Sequence, residues 1–194
     1  TLEQYQRKFK VTSESGTTEA IYAITAIKSE LPTEYHFESL VEGSSYYHEF
    51  YEFNLQQAEM LQWASGNPGF KLTGMAKSPL DYPTLQTEGY RGKGVKLETK
   101  STGNFGATAK MPIAAGNLFI GTFIVKDALS DAKAATKFGF PFFKRPISLK
   151  GYYKYTPGTV YISGTDKDRQ PIIDESMKGK DKGDIYAVLY EADN

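Results

Sequence analysis

The sequence predicts an all-β fold in which antiparallel strands pack as a sandwich. Apolar and polar residues alternate with a period of two over several short segments, the pattern of half-buried strands. Clusters of glycine, proline, asparagine and serine separate these segments, as the turns of such a sandwich require. Helical patterns are confined to residues 55–63, with Asn54 as the expected N-cap, and to residues 128–135.

The amino-acid composition is that of a folded protein, and it argues against some classes of partner. Its 194 residues are 40% hydrophobic and 14% aromatic, which is enough to bury a core. The 23 basic residues balance the 23 acidic ones, which argues against nucleic acid as a partner because phosphate binding needs a basic face. The absence of cysteine excludes disulfides and thiolate metal sites. No apolar run has the roughly 18 residues of a transmembrane segment.

An amino-terminal hairpin is the first predicted unit. Aromatic and apolar residues alternate with polar ones over residues 5–12, a Ser-Glu-Ser-Gly turn follows at 13–16, and residues 20–27 form the second strand. Pro32 then interrupts the pattern, so residues 28–33 are expected to link the hairpin to the next unit.

Six further strands are predicted beyond this linker. They cover residues 35–40, 46–53, 95–99, 118–125, 147–155 and 184–191. In the fifth, one face carries Ile147, Leu149, Tyr153 and Tyr155, and the other carries Ser148, Lys150, Tyr152 and Lys154. We expect the first face to be buried and the second to meet solvent or a ligand. The sixth segment is apolar on both faces, which predicts a central strand.

Several blocks of sequence occur in the order found in one protein family. They are residues 63–70 (WASGNPGF), 82–84 (YPT), 94–99 (GVKLET), 114–121 (AAGNLFIG), 139–142 (GFPF), 145–146 (RP), 149–158 (LKGYYKYTPG) and 184–191 (DIYAVLYE). Together these blocks resemble the putative carbohydrate metabolism domain of exported proteins from Bacteroides-type gut bacteria.

The resemblance implies an architecture and a location. It implies a jelly-roll β-sandwich over residues 31–194, preceded by an immunoglobulin-like domain whose last strands are residues 1–30. Family members usually continue past the last tyrosine-rich strand, so we expect a jelly roll that is truncated at its carboxy end and leaves apolar surface exposed. The parent protein is expected at the cell surface (outer membrane) or in the periplasm, with its signal segment outside this chain.

Carbohydrate is the expected partner, bound without a cofactor. Sugar rings stack on flat aromatic side chains while polar groups bond their hydroxyls. The candidate contacts are Trp63 with nearby Asn67, and Tyr152 with neighbouring Lys154. The alternatives are that Trp63 anchors the core and that Tyr152 packs across strands. These residues predict a glycan-binding or glycan-processing accessory module.

Two other functions stay open on the sequence. A glycoside hydrolase or lyase would need two carboxyl groups that face each other across a cleft. Glu49 and Glu52 are close in sequence, but three residues along a strand place them on opposite faces. Glu38 and Glu98 would have to converge through the fold. A structural spacer or adhesin-like domain would need neither pair.

Calcium is the metal for which the sequence offers candidate ligands. Glu38 lies where many carbohydrate-binding jelly rolls supply a structural calcium ligand, so the analogy implies this role for it. Four aspartates, at positions 166, 168, 181 and 184, also suggest calcium. Since Gln170 and Pro171 break the EF-hand pattern, solvated loop charges are the better interpretation of these four.

Other catalytic and phosphate-binding motifs find little support. His36 and His48 are the two histidines, and the chain has neither the helical zinc-protease motif nor a nucleophile elbow. His48 is expected to be packed and hydrogen-bonded within an aromatic strand. The glycine-rich residues 89–94 precede a strand instead of opening a helix, so they predict a tight turn and not a phosphate loop.

Overall fold

The computed structural model describes residues 4–43, 46–128, 134–168 and 170–191. Short strands dominate these residues, and the helical elements are only three to six residues long, which confirms the all-β prediction. The strands are β1 (Gln4–Thr12), β2 (Glu19–Ile27), β3 (Ser39–Leu40), β4 (Phe50–Asn54), β5 (Glu59–Gln62), β6 (Thr84–Glu88), β7 (Lys93–Leu97), β8 (Lys100–Ser101), β9 (Ile113–Ala114), β10 (Gly121–Phe123), β11 (Thr136–Phe138), β12 (Ile162–Thr165) and β13 (Pro171–Ile173). The α-helices are α1 (Asn67–Lys71), α2 (Gly103–Thr108) and α3 (Val125–Ala128).

All strand pairs are antiparallel, but they do not merge into the two large sheets that the sequence led us to expect. The strands β3, β4 and β5 form a three-stranded sheet, and the others pair as β1–β2, β6–β7, β8–β9, β10–β11 and β12–β13. A separate antiparallel bridge joins Ala64 to Phe119. The jelly-roll form of the sandwich therefore stays a prediction. No helix in the described ranges is long and apolar enough to cross a membrane.

The amino-terminal hairpin is confirmed and is amphipathic. Phe9 lies opposite Tyr22, and Arg7 lies opposite Ile24, so each pair shares one face of the hairpin. This face carries the exposed side chains of Tyr5, Phe9, Val11, Tyr22 and Ile24. An apolar face of this kind is normally covered by another layer. Whether the hairpin belongs to an immunoglobulin-like domain stays a prediction.

The core lies where β4 and β5 meet α1 and the start of β6. Its buried apolar side chains are Phe50, Leu61, Phe70, Tyr82 and Leu85. The rings of Phe70 and Tyr82 meet edge to face, with centroids 5.8 Å apart. Alternation places Phe50 and Leu61 on the inner face of the β4–β5 pair and leaves Phe53 and Met60 exposed.

The predicted helix over residues 55–63 is wrong. Asn54 does act as a cap, because its side chain accepts a hydrogen bond from the Gln57 amide at 3.2 Å. The turn ends after Gln57, because Ala58 adopts a left-handed conformation with φ of 51°. The residues that follow form β5 and pair with β4. Pairing and burial of Leu61 outweigh the helical pattern.

The strands predicted at 46–53 and 118–125 are reduced to β4 and β10, and two other predicted elements are also shorter than expected. Of the strand predicted at 35–40 only Ser39–Leu40 is formed, because Phe37 has a φ of 57° that no strand residue adopts. Near the helix predicted at 128–135, α3 ends at Ala128 and β11 begins at Thr136. Residues 129–133 lie outside the described residues.

A polar network, buried at Asn67 and Thr84, fixes the start of β6. The Asn67 side chain donates to the Thr84 carbonyl at 2.7 Å and accepts from the Thr84 amide at 3.1 Å. The Thr84 hydroxyl donates to the Asn117 carbonyl at 2.7 Å, and the Asn117 amide donates to that hydroxyl at 3.1 Å. Asn117 also accepts from the Gly66 amide through its side chain. These bonds satisfy buried polar atoms and tie three distant segments together.

The strands predicted at 147–155 and 184–191 are not formed in the structure. The buried face expected for the first is wrong, because Ile147, Leu149, Tyr153 and Tyr155 are all exposed. The second is not a central strand, since Ile185, Tyr186, Val188, Leu189 and Tyr190 are exposed as well. Alternation sets which residues share a face, but a strand also needs a partner edge for its backbone hydrogen bonds.

Replacing a core aromatic tests this placement of the core. Phe50 is 1% exposed, so Phe50→Ala should lower the free energy of unfolding by about 3–5 kcal/mol, the usual cost of deleting a buried ring. Phe143→Ala is the matched control, because Phe143 is 87% exposed and should change stability little. Urea unfolding of both variants measures the difference. Equal losses in the two variants would contradict the assigned core.

Candidate functional site

Two exposed tyrosine rings stack on each other at one end of the β6–β7 hairpin. The centroids of Tyr90 and Tyr152 lie 4.2 Å apart, and their planes are inclined by only 19°. Tyr90 is 67% exposed and Tyr152 is 79% exposed. We call this pair the tyrosine platform. It presents flat aromatic surface to solvent, whereas most aromatic pairs in proteins are buried.

A tight glycine turn holds Tyr90 in place, as the glycine-rich segment predicted. The Gly89 amide donates to the Gly92 carbonyl at 2.9 Å, between the paired residues Glu88 and Lys93. Gly92 has a φ of +63°, a conformation that favours glycine. A Cβ atom on Gly89 would lie 2.5 Å from the Lys93 carbonyl oxygen, so this position needs glycine for space. The turn closes a hairpin and does not cradle a phosphate.

Charged groups lie at the turn that carries Tyr90. The Arg91 guanidinium lies 5.7 Å from the centroid of the Tyr90 ring, within reach of a cation–π contact. The Lys93 ammonium pairs with the Glu88 carboxylate, and this hydrogen bond raises the pKa of Lys93. The Glu38 carboxylate accepts a hydrogen bond from the Lys93 amide at 2.7 Å. Donors and acceptors for hydroxyl groups therefore lie beside the aromatic surface.

A second group of polar residues lies within the fold. Glu52 and Glu59 are both buried and share the inner face of the β4–β5 pair. Glu52 accepts hydrogen bonds from the amides of His36 and Phe37 at 3.0 and 2.8 Å. Glu59 accepts from the Lys144 ammonium at 3.1 Å. Each carboxylate therefore has fixed partners within the chain.

An aromatic side chain lies close to these carboxylates. Burial raises the pKa of Tyr35, and the negative charges of Glu59 and Glu52 raise it further. Lys144 lies 3.3 Å from Glu30 as well as near Glu59, so it bridges the two. Sequence analysis missed Glu59 because its segment was predicted as a helix. Residues 59–62 (EMLQ) carry no alternation of polar and apolar residues, so the sequence gives no local signal for this strand.

Comparisons with known proteins identify the family. The family model described as "Putative carbohydrate metabolism domain" matches residues 36–194. The chain belongs to this family. The match spans most of the chain, and it confirms the resemblance found in the sequence. A comparison with curated proteins found no match.

Two solved structures are similar to this member of the carbohydrate metabolism domain family. One is a putative glycoside hydrolase from Bacteroides thetaiotaomicron VPI-5482, 39% identical, with a TM-score of 0.60. The chain aligns over 89% of its own length but spans only 48% of that protein. The other is a putative glycoside hydrolase from Bacteroides vulgatus ATCC 8482, 37% identical, with a TM-score of 0.64. There the coverage is 77% of this chain and 67% of the other.

The structure separates the predicted glycan contacts of this family member. Tyr152 lies in the platform, and Lys154 is exposed two residues further on. Trp63 lies elsewhere, against Tyr35 and Phe37 with centroid distances of 5.1 and 5.6 Å. The Trp63 indole nitrogen is the one buried side-chain polar atom in the described part of the chain that lacks a hydrogen-bond partner.

Asn67 lies in a different place from the tyrosine platform. It is buried, and both atoms of its amide bond the Thr84 backbone, as described above. The Asn67 side chain makes the two backbone hydrogen bonds to Thr84 that a neighbouring strand would otherwise make. Glycan contact by Trp63 or Asn67 stays a prediction.

The predicted carboxylate pairs are engaged separately. Glu38 bonds the Lys93 amide, whereas Glu98 pairs with Lys96 and Lys100 at 2.8 and 3.0 Å. These two bonds lower the pKa of Glu98. Glu49 accepts from the Gln62 side chain, while Glu52 points inward, as expected for opposite faces.

The predicted calcium ligands lie in ordinary polar contacts. Asp166 accepts hydrogen bonds from the amides of Asp168 and Gln170 at 2.9 and 2.8 Å, which stabilises a loop. Across the described ranges, no three histidine or acidic side chains are grouped so that they could hold a metal ion. Calcium binding by Glu38 stays a prediction. The hydrogen bond from the Lys93 amide to Glu38 does not depend on it.

His48 is half-buried and hydrogen-bonded, as the sequence predicted, but it lies just before β4 and not within a strand. Its Nδ1 atom accepts a hydrogen bond from the Gln86 amide at 2.9 Å, so the ring is neutral in this arrangement. Burial lowers its pKa from 6.5. Gln86 in turn donates through its side chain to the carbonyls of Phe37 and Glu38. His48 therefore supports the segment that carries Glu38.

This contact predicts a pH dependence of stability. Because burial lowers the His48 pKa in the folded state, the unfolded chain binds a proton first as the pH falls, so stability should fall below about pH 6.5. In His48→Asn the side-chain amide oxygen can accept the hydrogen bond from the Gln86 amide at every pH. The loss of stability on acidification that is due to His48 should therefore disappear in this variant. Thermal unfolding between about pH 8 and about pH 5 measures it.

The control for this prediction is His36→Asn, since the His36 side chain is exposed. This variant should keep the pH dependence of the original chain. The account of His48 would be wrong if His48→Asn lost stability on acidification as steeply as the original chain does.

Proposed function

We propose that the chain is a glycan-binding accessory module of an exported bacterial protein, with the tyrosine platform as its ligand surface. The observation that carries the proposal is the stacked, exposed pair of Tyr90 and Tyr152. Membership in the carbohydrate metabolism domain family makes a sugar the expected ligand.

The chemistry of the platform suits a sugar ring. The C–H faces of a pyranose pack on flat aromatic surfaces, and charged side chains bond its hydroxyl groups. Arg91, Lys93 and Glu88 lie at the turn that carries Tyr90. Because Tyr90 and Tyr152 already hold each other, less side-chain freedom is lost when a ligand binds. Lys154 is the predicted additional contact on the same segment as Tyr152.

A glycoside hydrolase is the alternative function, favoured by two observations. The similar solved structures are named as putative glycoside hydrolases. Glu52 and Glu59 also share one buried face, where two carboxyl groups could act as acid and base. Against this, Glu52 is bonded to two backbone amides and Glu59 to Lys144, so both are occupied as structural acceptors. This occupation favours the accessory role.

We propose the parent architecture on the same basis. Residues 31–194 belong to a jelly roll, and residues 1–30 are the last strands of an immunoglobulin-like domain. The uncovered apolar face of the β1–β2 hairpin supports a further layer over it. The Bacteroides origin of the two similar structures supports export to the cell surface or periplasm.

Removing a platform ring tests the proposed ligand surface. Tyr152→Ala should weaken glycan binding by roughly fivefold, the factor that corresponds to about 1 kcal/mol for an aromatic contact. Stability should change little because the ring is exposed. A glycan array identifies a ligand for the original chain, and isothermal titration then compares the variants.

Tyr153→Ala is the matched control for this prediction. Tyr153 is as exposed as Tyr152, at 79% each, but no ring contact is formed by it among the described residues. Its replacement should leave binding unchanged. Equal weakening in both variants, or none in Tyr152→Ala, would remove the platform from the ligand site.

A hydrolysis assay distinguishes the accessory role from the enzymatic one. The purified chain, incubated with a panel of polysaccharides, should release no reducing sugar. Release that Glu52→Gln and Glu59→Gln both abolish, while the variants stay folded, would instead establish the glycoside hydrolase.

A further inference from the structure

We propose that Glu38 is a positioning residue for the tyrosine platform: its carboxylate fixes the turn that aims Tyr90 at Tyr152. The consequence for glycan binding rests on the proposed function, whereas the effect on the turn does not. This role rests on the contact of Glu38 with the Lys93 amide and is independent of the predicted calcium binding.

The carboxylate of Glu38 is joined to the turn by a directed hydrogen bond. Its Oε1 atom accepts from the Lys93 amide at 2.7 Å, across 55 residues of sequence. A bond from a backbone amide to a charged acceptor is stronger than one between neutral groups. Lys93 is the first residue after the turn, so this bond fixes the point at which the chain leaves Tyr90, Arg91 and Gly92.

The turn is shaped to admit this carboxylate. A Cβ atom on Gly92 would lie 2.0 Å from the Glu38 Oε1 atom, far inside van der Waals contact. Gly92 therefore serves two purposes, since it adopts a positive φ and leaves space for the acid. With any larger residue at position 92, the Glu38 side chain would have to move from this position.

Glu38 is itself held at its backbone. The side chain of Gln86 donates to the carbonyls of Phe37 and Glu38 at 2.7 and 3.2 Å. The amide of Phe37 donates to buried Glu52. Gln86 lies on β6, the strand that enters the turn, so Glu38 is anchored to the hairpin at one point and braces its tip at another.

The hydrogen bond from the Lys93 amide to Glu38 should restrict the motion of this exposed turn. The turn residues 89–92 are joined to each other by one backbone hydrogen bond, from Gly89 to Gly92. Freeing the Lys93 amide would let the turn sample more conformations and would separate the two rings for part of the time. Binding would then have to reorder the turn, which lowers affinity without removing any ligand contact.

The first test needs no ligand. In the full chain, amide hydrogen exchange at Lys93 and nuclear Overhauser contacts between the Tyr90 and Tyr152 rings report the turn directly. Glu38→Ala should speed exchange at Lys93 by about tenfold or more, in line with loss of a charge-assisted hydrogen bond. It should also weaken the ring contacts. Glu38→Gln keeps an acceptor oxygen and should restore both signals to near their original values.

Glu34→Ala is the control, because Glu34 is an exposed acid in the same segment whose contact is with His36. The proposal is overturned if Glu38→Ala leaves exchange and ring contacts unchanged. It is also overturned if Glu38→Gln is as damaged as Glu38→Ala, because an acceptor oxygen in the same place would then fail to hold the Lys93 amide. Urea unfolding identifies any variant whose overall fold has changed.

A second test connects the brace to binding on a glycan array of the same polysaccharides. Tyr90→Ala and Glu38→Ala should both weaken binding, and Glu38→Gln should restore it. If Tyr90→Ala binds normally, the proposed function fails, and the exchange experiment still decides the role of Glu38. If Tyr90→Ala weakens binding and Glu38→Ala does not, the platform stands and the positioning role is wrong.

Discussion

The hydrogen bonds between Asn67, Thr84 and Asn117 are the constraint on which the described fold depends. The Asn67 amide group pairs with both backbone atoms of Thr84, as a neighbouring strand would. The Thr84 hydroxyl pairs in the same two-way manner with the backbone of Asn117. Buried polar groups are costly unless every partner is present, so these bonds accept few alternative arrangements. They make the start of β6 a fixed point.

The candidate site is an extension of that fixed point. β6 runs from Thr84, past Gln86, to Glu88 at the platform turn. Gln86 donates through its backbone amide to His48 and through its side chain to the carbonyls of Phe37 and Glu38. The exposed turn is therefore connected to the core through β6 and through Glu38, and these connections hold it in place. A ligand surface built on such a hairpin can be solvent-exposed and still well defined.

Sequence patterns predicted the local elements better than their assembly. The amino-terminal hairpin was predicted correctly because its alternation and its turn are both local. The segment 147–155 shows a similar alternation and the segment 184–191 is a continuous apolar run, but a strand forms only where a partner edge exists, and no pattern within either segment provides one. At residues 55–63, Asn54 gave a correct cap signal, yet the left-handed Ala58 and the pairing of β5 decided the outcome.

The candidate site was accessible to sequence analysis only in part. Tyr152 could be proposed from its composition and neighbours, but Tyr90 could not, because the two are 62 positions apart and meet only through the fold. Asn67 looked like a polar ligand contact and is a buried structural residue, since the sequence does not show which polar groups face inward. The sequence suggested Glu38 only as an acidic metal ligand. Its bond to the Lys93 amide could not be predicted, because that bond depends on how β6 and β7 are placed.

A titration followed on the tyrosine rings tests the central claim most directly. The tyrosine ring resonances of the intact chain would be monitored while oligosaccharides from plant and host glycans are added. The account predicts that shifts concentrate on Tyr90 and Tyr152. Shifts confined to Tyr35, which lies beside the buried carboxylates Glu52 and Glu59, would contradict it and would place the ligand in the interior site instead.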